Sequence, residues 1–280
     1  MSARHTSARR FMDGAQSTGN PNFPLFRSFE DAASACGSGY EDPVLIEVVA
    51  EKTERLVSKL ACNPIEIDQE TAYRLEMIHR CMSSSRAAVI DVGGACGYYF
   101  HLYKRVFGDA GIFRWCVVET PSMVAEAKAR RFDNTVLTFN DSLDKVPSVA
   151  AYVPTLVLCS GVLQFFPSPV DTVKALASLR PKTILVTRTP LSTYSERLIS
   201  RQVSNLGDNG PGSLPENFSD RKIKYPVVFE PLQTVERAFE ANSYTVDVIK
   251  EQEATLFFHG ASINSHFTLI ARRAACSTYA

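Results

Sequence analysis

The chain has 280 residues with 30 basic and 30 acidic side chains, so its formal charge is zero. That balance, with no basic stripe interleaved with aromatics, leaves no electrostatic footprint for nucleic acid. No apolar run reaches the roughly 18 to 20 residues that a membrane-spanning helix needs, so neither nucleic acid nor membrane is the expected partner and a small molecule is. The length suits one catalytic domain with a helical appendage. Seven cysteines form an odd set without CxxC or Cys/His spacing, which predicts no metal site and points to reduced thiols in a cytoplasmic protein.

Residues 1–28 read as a flexible tail: Arg4, Arg9 and Arg10 stand among hydroxyl residues without the apolar core of a secretory signal. An organelle transit peptide shares that basic, hydroxyl-rich composition. The stretch 23–40 mixes aromatics with a Gly37-Ser38-Gly39 break, an irregular arm expected to dock by its rings. A helix follows over 43–60, where Val44, Leu45, Val48, Val49, Leu56, Val57 and Leu60 keep helical spacing and Pro43 suits the first turn. A second helix is expected over 69–82, with His79 on it as a surface or packing residue. Both precede the first strand, so residues 29–85 are expected to form a cap over the sheet edge or the mouth of the site, ahead of a ligand-binding domain over 86–280.

The organising stretch is Ala88, Val89, Ile90, Asp91, Val92, Gly93, Gly94, Ala95, Cys96, Gly97 and the amphipathic segment after it. It reads as a buried strand, a glycine turn and a helix, the place where an open α/β sheet binds a nucleotide-like ligand. Glycine permits both the tight turn and a close approach of backbone to ligand. A dinucleotide fingerprint would read GxGxxG, whereas this turn reads DxGGxxG. A carboxylate there repels a diphosphate and attracts a cationic ligand. The second strand, 112–118, ends at Glu119, placed to accept from both ribose hydroxyls of an adenosine-bearing ligand; a nicotinamide dinucleotide would use the same acid. A helix over 121–131 closes on Lys128, Arg130 and Arg131, the favourable end for cations.

A third strand over 135–139 runs into Asn140, Asp141 and Ser142, where Asp141 suits a helix cap or turn as well as a ligand contact. The fourth strand, 155–159, is wholly apolar after Thr155, as a central parallel strand should be. It opens into Ser160, Gly161, Val162, Leu163, Gln164, Phe165 and Phe166. Next come a helix over 170–179 and a fifth strand over 183–187, which delivers Arg188 to the carboxyl edge, where such sheets bind ligands. The stretch 191–230 is read as a helix over 192–203 and a long lid-like loop. The chain ends with a helix over 231–241 and two alternating strands, 244–249 and 266–271.

In their order and spacing, the Gly39-Tyr40 entry before the cap helix, DVGGACG, VVET, SGVLQFF and VTRTPL resemble the class I S-adenosylmethionine (SAM) methyltransferases. More narrowly they are similar to a bacterial methyltransferase group, some of whose members are encoded beside polysaccharide-synthesis genes. The match spans roughly residues 37–275, and Ala95 stands where many of these enzymes have a further glycine. The resemblance implies a Rossmann-like α/β fold, mostly parallel with an antiparallel last strand, behind an N-terminal helical cap. It implies SAM as cofactor, held by Asp91, Gly93, Gly94, Gly97, Glu119, Asn140, Asp141, Ser142 and Ser160. Asp91 would position the amino-acid part, and Asp141 would accept from the adenine amine. It further implies an O-directed transfer to a small-molecule or glycan-precursor acceptor. Gln164, His101 and Arg188 are the catalytic candidates: Gln164 to orient the acceptor, His101 to orient it or act as base, and Arg188 to grip an anionic or hydroxyl-rich group. His259 and His266 have no spacing that assigns them a role, and the oligomeric state stays open. Two alternatives remain: an NAD(P)-dependent oxidoreductase, and a methyltransferase-like fold that binds without catalysing.

Overall fold

The computed structural model of the chain describes residues 24–62, 66–82, 86–108, 111–146, 153–252, 257–258, 261–262 and 264–274. The predicted tail over 1–23 and His259 lie outside them. Strands β1 (Ala87–Val92), β2 (Ile112–Val118), β3 (Leu137–Asn140), β4 (Leu156–Ser160) and β5 (Thr183–Ser192) are joined by helices α4 (Tyr98–Phe107), α5 (Pro121–Ala129) and α6 (Pro169–Ser178). Ahead of them stand α1 (Phe29–Ser34), α2 (Pro43–Cys62) and α3 (Gln69–Cys81). After β5 come the hairpin strands β6 (Leu198–Asn205) and β7 (Lys222–Phe229), helix α7 (Leu232–Glu240) and strand β8 (Tyr244–Gln252). The short pair β9 (Phe257–Phe258) and β10 (Ala261–Ser262) precedes the last strand, β11 (Asn264–Arg273).

Seven strands form one sheet in the order β3-β2-β1-β4-β5-β11-β8. β1 to β5 pair in parallel, and β11 runs antiparallel to both β5 and β8. This is the mostly parallel, Rossmann-like sheet with an antiparallel last strand. All six residues of β1 are buried, as a strand covered by helices on both faces requires. On one face Val89, Trp115, Leu137 and Leu158 pack with side chains of α2, α3, α4 and α5; on the other Ile90, Cys116, Val157 and Val186 pack with α6 and α7. The strand order reverses between β1 and β4, the switch point at which open α/β sheets bind ligands beyond their carboxyl ends.

Local chemistry explains the helix starts. The Asp42 carboxylate accepts from the Val44 and Leu45 amides with Pro43 in the first turn, and Thr120 and Ser168 cap α5 and α6 just ahead of Pro121 and Pro169. Three expectations are corrected. The helix predicted over 192–203 does not form: β5 runs on to Ser192, and Leu198–Asn205 pairs antiparallel with Lys222–Phe229. Exposed Lys222 and Lys224 alternate there with buried Ile223 and Tyr225, a period of two that only its partner strand makes decisive. Residues 24–28 are docked on this hairpin rather than free, with the Phe26 amide donating to Ile199 O at 2.9 Å and Ser200 Oγ donating to Pro24 O. Helix α2 lies against the same core face as α4 instead of over the mouth, whereas α3 packs on that face and also reaches the site through Glu70 and Arg74; the segment 33–41 forms the wall described below.

Candidate functional site

Two cavities meet at the carboxyl end of the parallel strands. The first, about 640 Å³, is floored by Val92, Gly93 and Val118, walled by Val162, Phe165 and Leu143, and closed by residues 36–41. Its volume lies within the roughly 300–1,000 Å³ of small-molecule sites. The second, about 570 Å³, lies between α3, β5, the β6–β7 hairpin and β11. Tyr40, Gly161 and Phe165 line both. The Tyr40 ring stacks on Tyr225 at 4.1 Å and meets the edge of Phe165 at 4.9 Å, so the arm docks by its rings.

The glycine turn is shaped by close approach. Gly93 has φ +70°, and a Cβ there would stand 2.6 Å from Val162 Cγ2; one on Gly94 would stand 2.6 Å from the Asp91 carboxylate. Ala95 also has positive φ, +49°, and its amide donates to Glu119 Oε1 at 3.0 Å. Glu119 Oε2 accepts from the Thr120 amide at 2.9 Å. Two backbone donors thus hold this carboxylate at the end of β2, on the first cavity, and burial raises its pKa against their effect. Glu41, Asp141 and Ser142 line the same cavity. Lys145 pairs with Asp141 and keeps that carboxyl below its ordinary value. Among the described residues, those lining the first cavity include three carboxylates and no lysine, arginine or histidine.

Asp91 is corrected in one respect: its carboxylate does not face the ligand space. It lies beneath the turn, 1 % exposed, where Oδ2 accepts from Trp115 Nε1 at 3.1 Å and burial pushes the carboxyl up to about 7. Gly94, Gly97, Asn140 and Ser160 also lie off the cavity walls. Gly97, at φ +83°, starts α4. Asn140 Nδ2 donates to Cys116 Sγ, while Ser160 Oγ bonds Tyr99 Oη and Thr187 Oγ1. His101 is corrected outright. It lines neither cavity, its ring lies near Phe132 on the core side of α4, and burial drives its imidazole down to about 4.

Gln164 and Arg188 do meet, on the second cavity. Gln164 Nε2 donates to Gly161 O at 2.9 Å, which leaves Oε1 buried without a partner. Arg188 sits at φ +55° in a strand, a conformation that costs a non-glycine residue on the order of 1–2 kcal/mol. Between the Val186–Leu269 and Thr189–Phe267 pairs, Thr187 and Arg188 oppose the single residue Thr268, a β-bulge of the kind that re-aims a side chain. Sequence reasoning gave no site role to Tyr40, Arg74, Tyr225, Glu251 or His266. The one local signal for Tyr40 was an aromatic directly after the Gly37-Ser38-Gly39 break; the others enter through pairings between distant segments. Among the described residues no group of three or more His, Cys, Asp or Glu is placed to hold a metal ion, and no helix is long and apolar enough to cross a membrane.

No protein-family model and no curated protein matches this chain. Among solved structures, the chain is similar to the N-terminal domain of EvdMO1 with SAH bound, at 16 % identity and a TM-score of 0.49, over 80 % of this chain and 97 % of that one. It is similar to CalS10, an amino pentose methyltransferase from Micromonospora echinaspora, at 12 % identity and 0.45, over 79 % and 96 %. A third is the sugar N-methyltransferase KedS8 from Streptoalloteichus sp ATCC 53650, at 14 % identity and 0.42, over 76 % and 95 %. At that level of similarity, function rests on the geometry of the two cavities.

Proposed function

We propose that this chain is a SAM-dependent methyltransferase in which the first cavity takes the methyl donor and the second a polar small-molecule acceptor. The observation that carries this reading is the charge of the first cavity: Glu41 and Glu119 with no cation among the described lining residues, and Asp141 already paired with Lys145 at its side. A ligand with a sulfonium and an ammonium is attracted there, and the diphosphate of a nicotinamide dinucleotide is repelled. The residues also fit the donor locally. Gly93 lets the turn close against Val162, the Glu119 carboxylate is pre-set for ribose hydroxyls, and Val118, Leu143 and Val162 offer apolar walls for a purine. Asp91 supports this cradle from below.

SAM supplies a methyl group already activated by positive charge, so holding the reactants in register accounts for much of the acceleration, up to roughly 7–11 kcal/mol. Gln164 and Arg188 orient the acceptor, and Tyr40 and Phe165 stand at the junction of the two cavities. The second cavity is lined by Gln164, Gln202, Asn209 and several charged groups, which favours a hydroxyl-rich acceptor, a small molecule or sugar-containing glycan precursor, methylated on oxygen. Residues 36–41 close the donor side, and the β6–β7 hairpin serves as the lid of the acceptor side.

Calorimetric titration of the full chain with SAM, its demethylated product and NADH tests this reading. The first two bind and raise the melting temperature by an amount set by their dissociation constants, and NADH does neither. Glu119→Ala weakens SAM roughly 10- to 100-fold, the loss expected for hydrogen bonds to a charged group. Binding of NADH in preference to SAM would overturn the assignment.

A further inference from the structure

Three residues that line the second cavity each hold a buried polar atom without a hydrogen-bond partner among the described residues: Arg74 Nε, Gln164 Oε1 and His266 Nδ1. They come from α3, the turn after β4 and β11, so packing of one element does not explain them together. A buried polar atom left unpaired costs roughly 1–3 kcal/mol, and three on one cavity mark a surface completed by a polar ligand. Their capacities differ. Arg74 Nε can only donate, and its terminal nitrogens already reach Glu70 at 3.3 and 3.4 Å. Gln164 Oε1 can only accept, its direction fixed by the Nε2 bond to Gly161. His266 Nδ1 can do either, and imidazole is the group of the three that moves a proton near neutral pH.

The backbone fixes where this imidazole stands. His266 pairs with Pro190 on β5, two residues beyond the bulge that carries Arg188. The Arg188 side chain in turn lies 3.6–3.7 Å from the position of a Cβ on Gly161, the glycine shared by both cavities. We propose that His266 is the general base of this site, its Nδ1 receiving the proton of an acceptor hydroxyl whose oxygen is held by Arg74, while Gln164 Oε1 accepts from a second hydroxyl of the same molecule. This rests on the methyl-transfer reading and narrows the acceptor to a compound with at least two hydroxyls. As the O–CH3 bond forms, the hydroxyl proton passes to Nδ1 and the S–CH3 electron pair returns to sulfur. The positive charge thereby leaves the sulfonium and ends on the imidazolium.

The charged groups on the same cavity are Glu251 from β8, Arg188 from β5, Glu70 and Arg74 from α3, and Asp208 from the turn after β6. Thr268 donates to Glu251 and keeps it in place. Burial lowers the His266 pKa most; Glu251 acts to raise it and Arg188 to lower it. The ring is therefore neutral at pH 7 and able to accept, with Glu251 near enough to stabilise the imidazolium. A base of this kind contributes roughly 10²- to 10⁴-fold.

Long-range proton–nitrogen spectra of the full chain with 15N-labelled histidine test this assignment, with the His266 signal identified by its loss in His266→Asn. At pH 7.5 with saturating demethylated SAM, the ring is neutral with its proton on Nε2, its titration midpoint lies below 6.5, and His266→Asn binds SAM within twofold of wild type. A proton on Nδ1, a charged ring at pH 7.5, or a loss of SAM affinity above tenfold in His266→Asn would overturn the inference while leaving methyl transfer intact. Failure of the wild-type chain to bind SAM would instead overturn the reading on which it rests.

Discussion

The two cavities lie side by side and share three residues, yet they are built in different ways. The walls of the first cavity come mainly from the ends of β1, β2, β3 and β4, each followed by its own short turn. Their geometry is local: a glycine turn, a carboxylate held by two amides, an apolar loop. The acceptor cavity draws one or a few side chains from each of α3, the turn after β4, β5, the β6–β7 hairpin, β8 and β11. Gln164 and Arg74 are held by neighbours three or four residues away, but a bulge, a hairpin and an antiparallel last strand bring the set together. A parallel sheet thus provides a repeatable donor site, while late, irregular pairings decide what is set beside it.

The sharpest way to break this contrast is to fill the glycine turn. Gly93→Val puts a β-branched residue at φ +70° with its Cβ 2.6 Å from Val162. It should destabilise the fold by roughly 2–5 kcal/mol, combining overpacking with left-handed strain, and abolish the rise in melting temperature caused by SAM.

Asp91 comes next in size. Its folded pKa, about 7, lies above the ordinary 3.8, so the folded protein binds more protons than the unfolded chain between those values. The contribution of Asp91 to stability is therefore fullest below about pH 4 and declines as pH rises toward 7. Asp91→Asn cannot ionise and keeps an oxygen for Trp115, so it should remove that decline and be more stable than wild type at pH 8. The gain is a few kcal/mol, about 4 at most, read from urea midpoints at pH 4 and pH 8.

The smallest effect belongs to the other cavity. Tyr225 Oη donates to Asn209 Oδ1 at 2.7 Å and accepts from Ser204 Oγ at 3.2 Å, tying the hairpin to its turn. Tyr225→Phe should cost about 1 kcal/mol of stability and leave SAM affinity unchanged, which calorimetry and thermal melts resolve separately.

What could be read from residues alone follows the same division. The strand 112–118 and the positions of Gly93, Glu119, Asp141 and Ser142 on one cavity rest on short-range patterns: apolar runs, a glycine turn, acids at strand ends. The direction of the Asp91 side chain was not legible, because the alternation of β1 turns it toward Trp115 on the core face. The misreading of 192–203 has a related cause. Leu198–Asn205 carries no strong local preference, and only pairing with Lys222–Phe229 selects the extended state. His101 had the correct residue type one turn after the glycines, but α4 rotates it into the core.

By itself the sequence determined the order of strands and helices from 87 to 187, the glycine turn and the acids that follow it, since each depends on residues a few positions apart. Tertiary structure alone decided that Asp91 lies under the turn, that residues 198–229 form a hairpin, and that Arg74, Gln164, Arg188 and His266 share one cavity. Those outcomes depend on strand register and on a single-residue bulge, and register is fixed by pairing across the chain rather than along it.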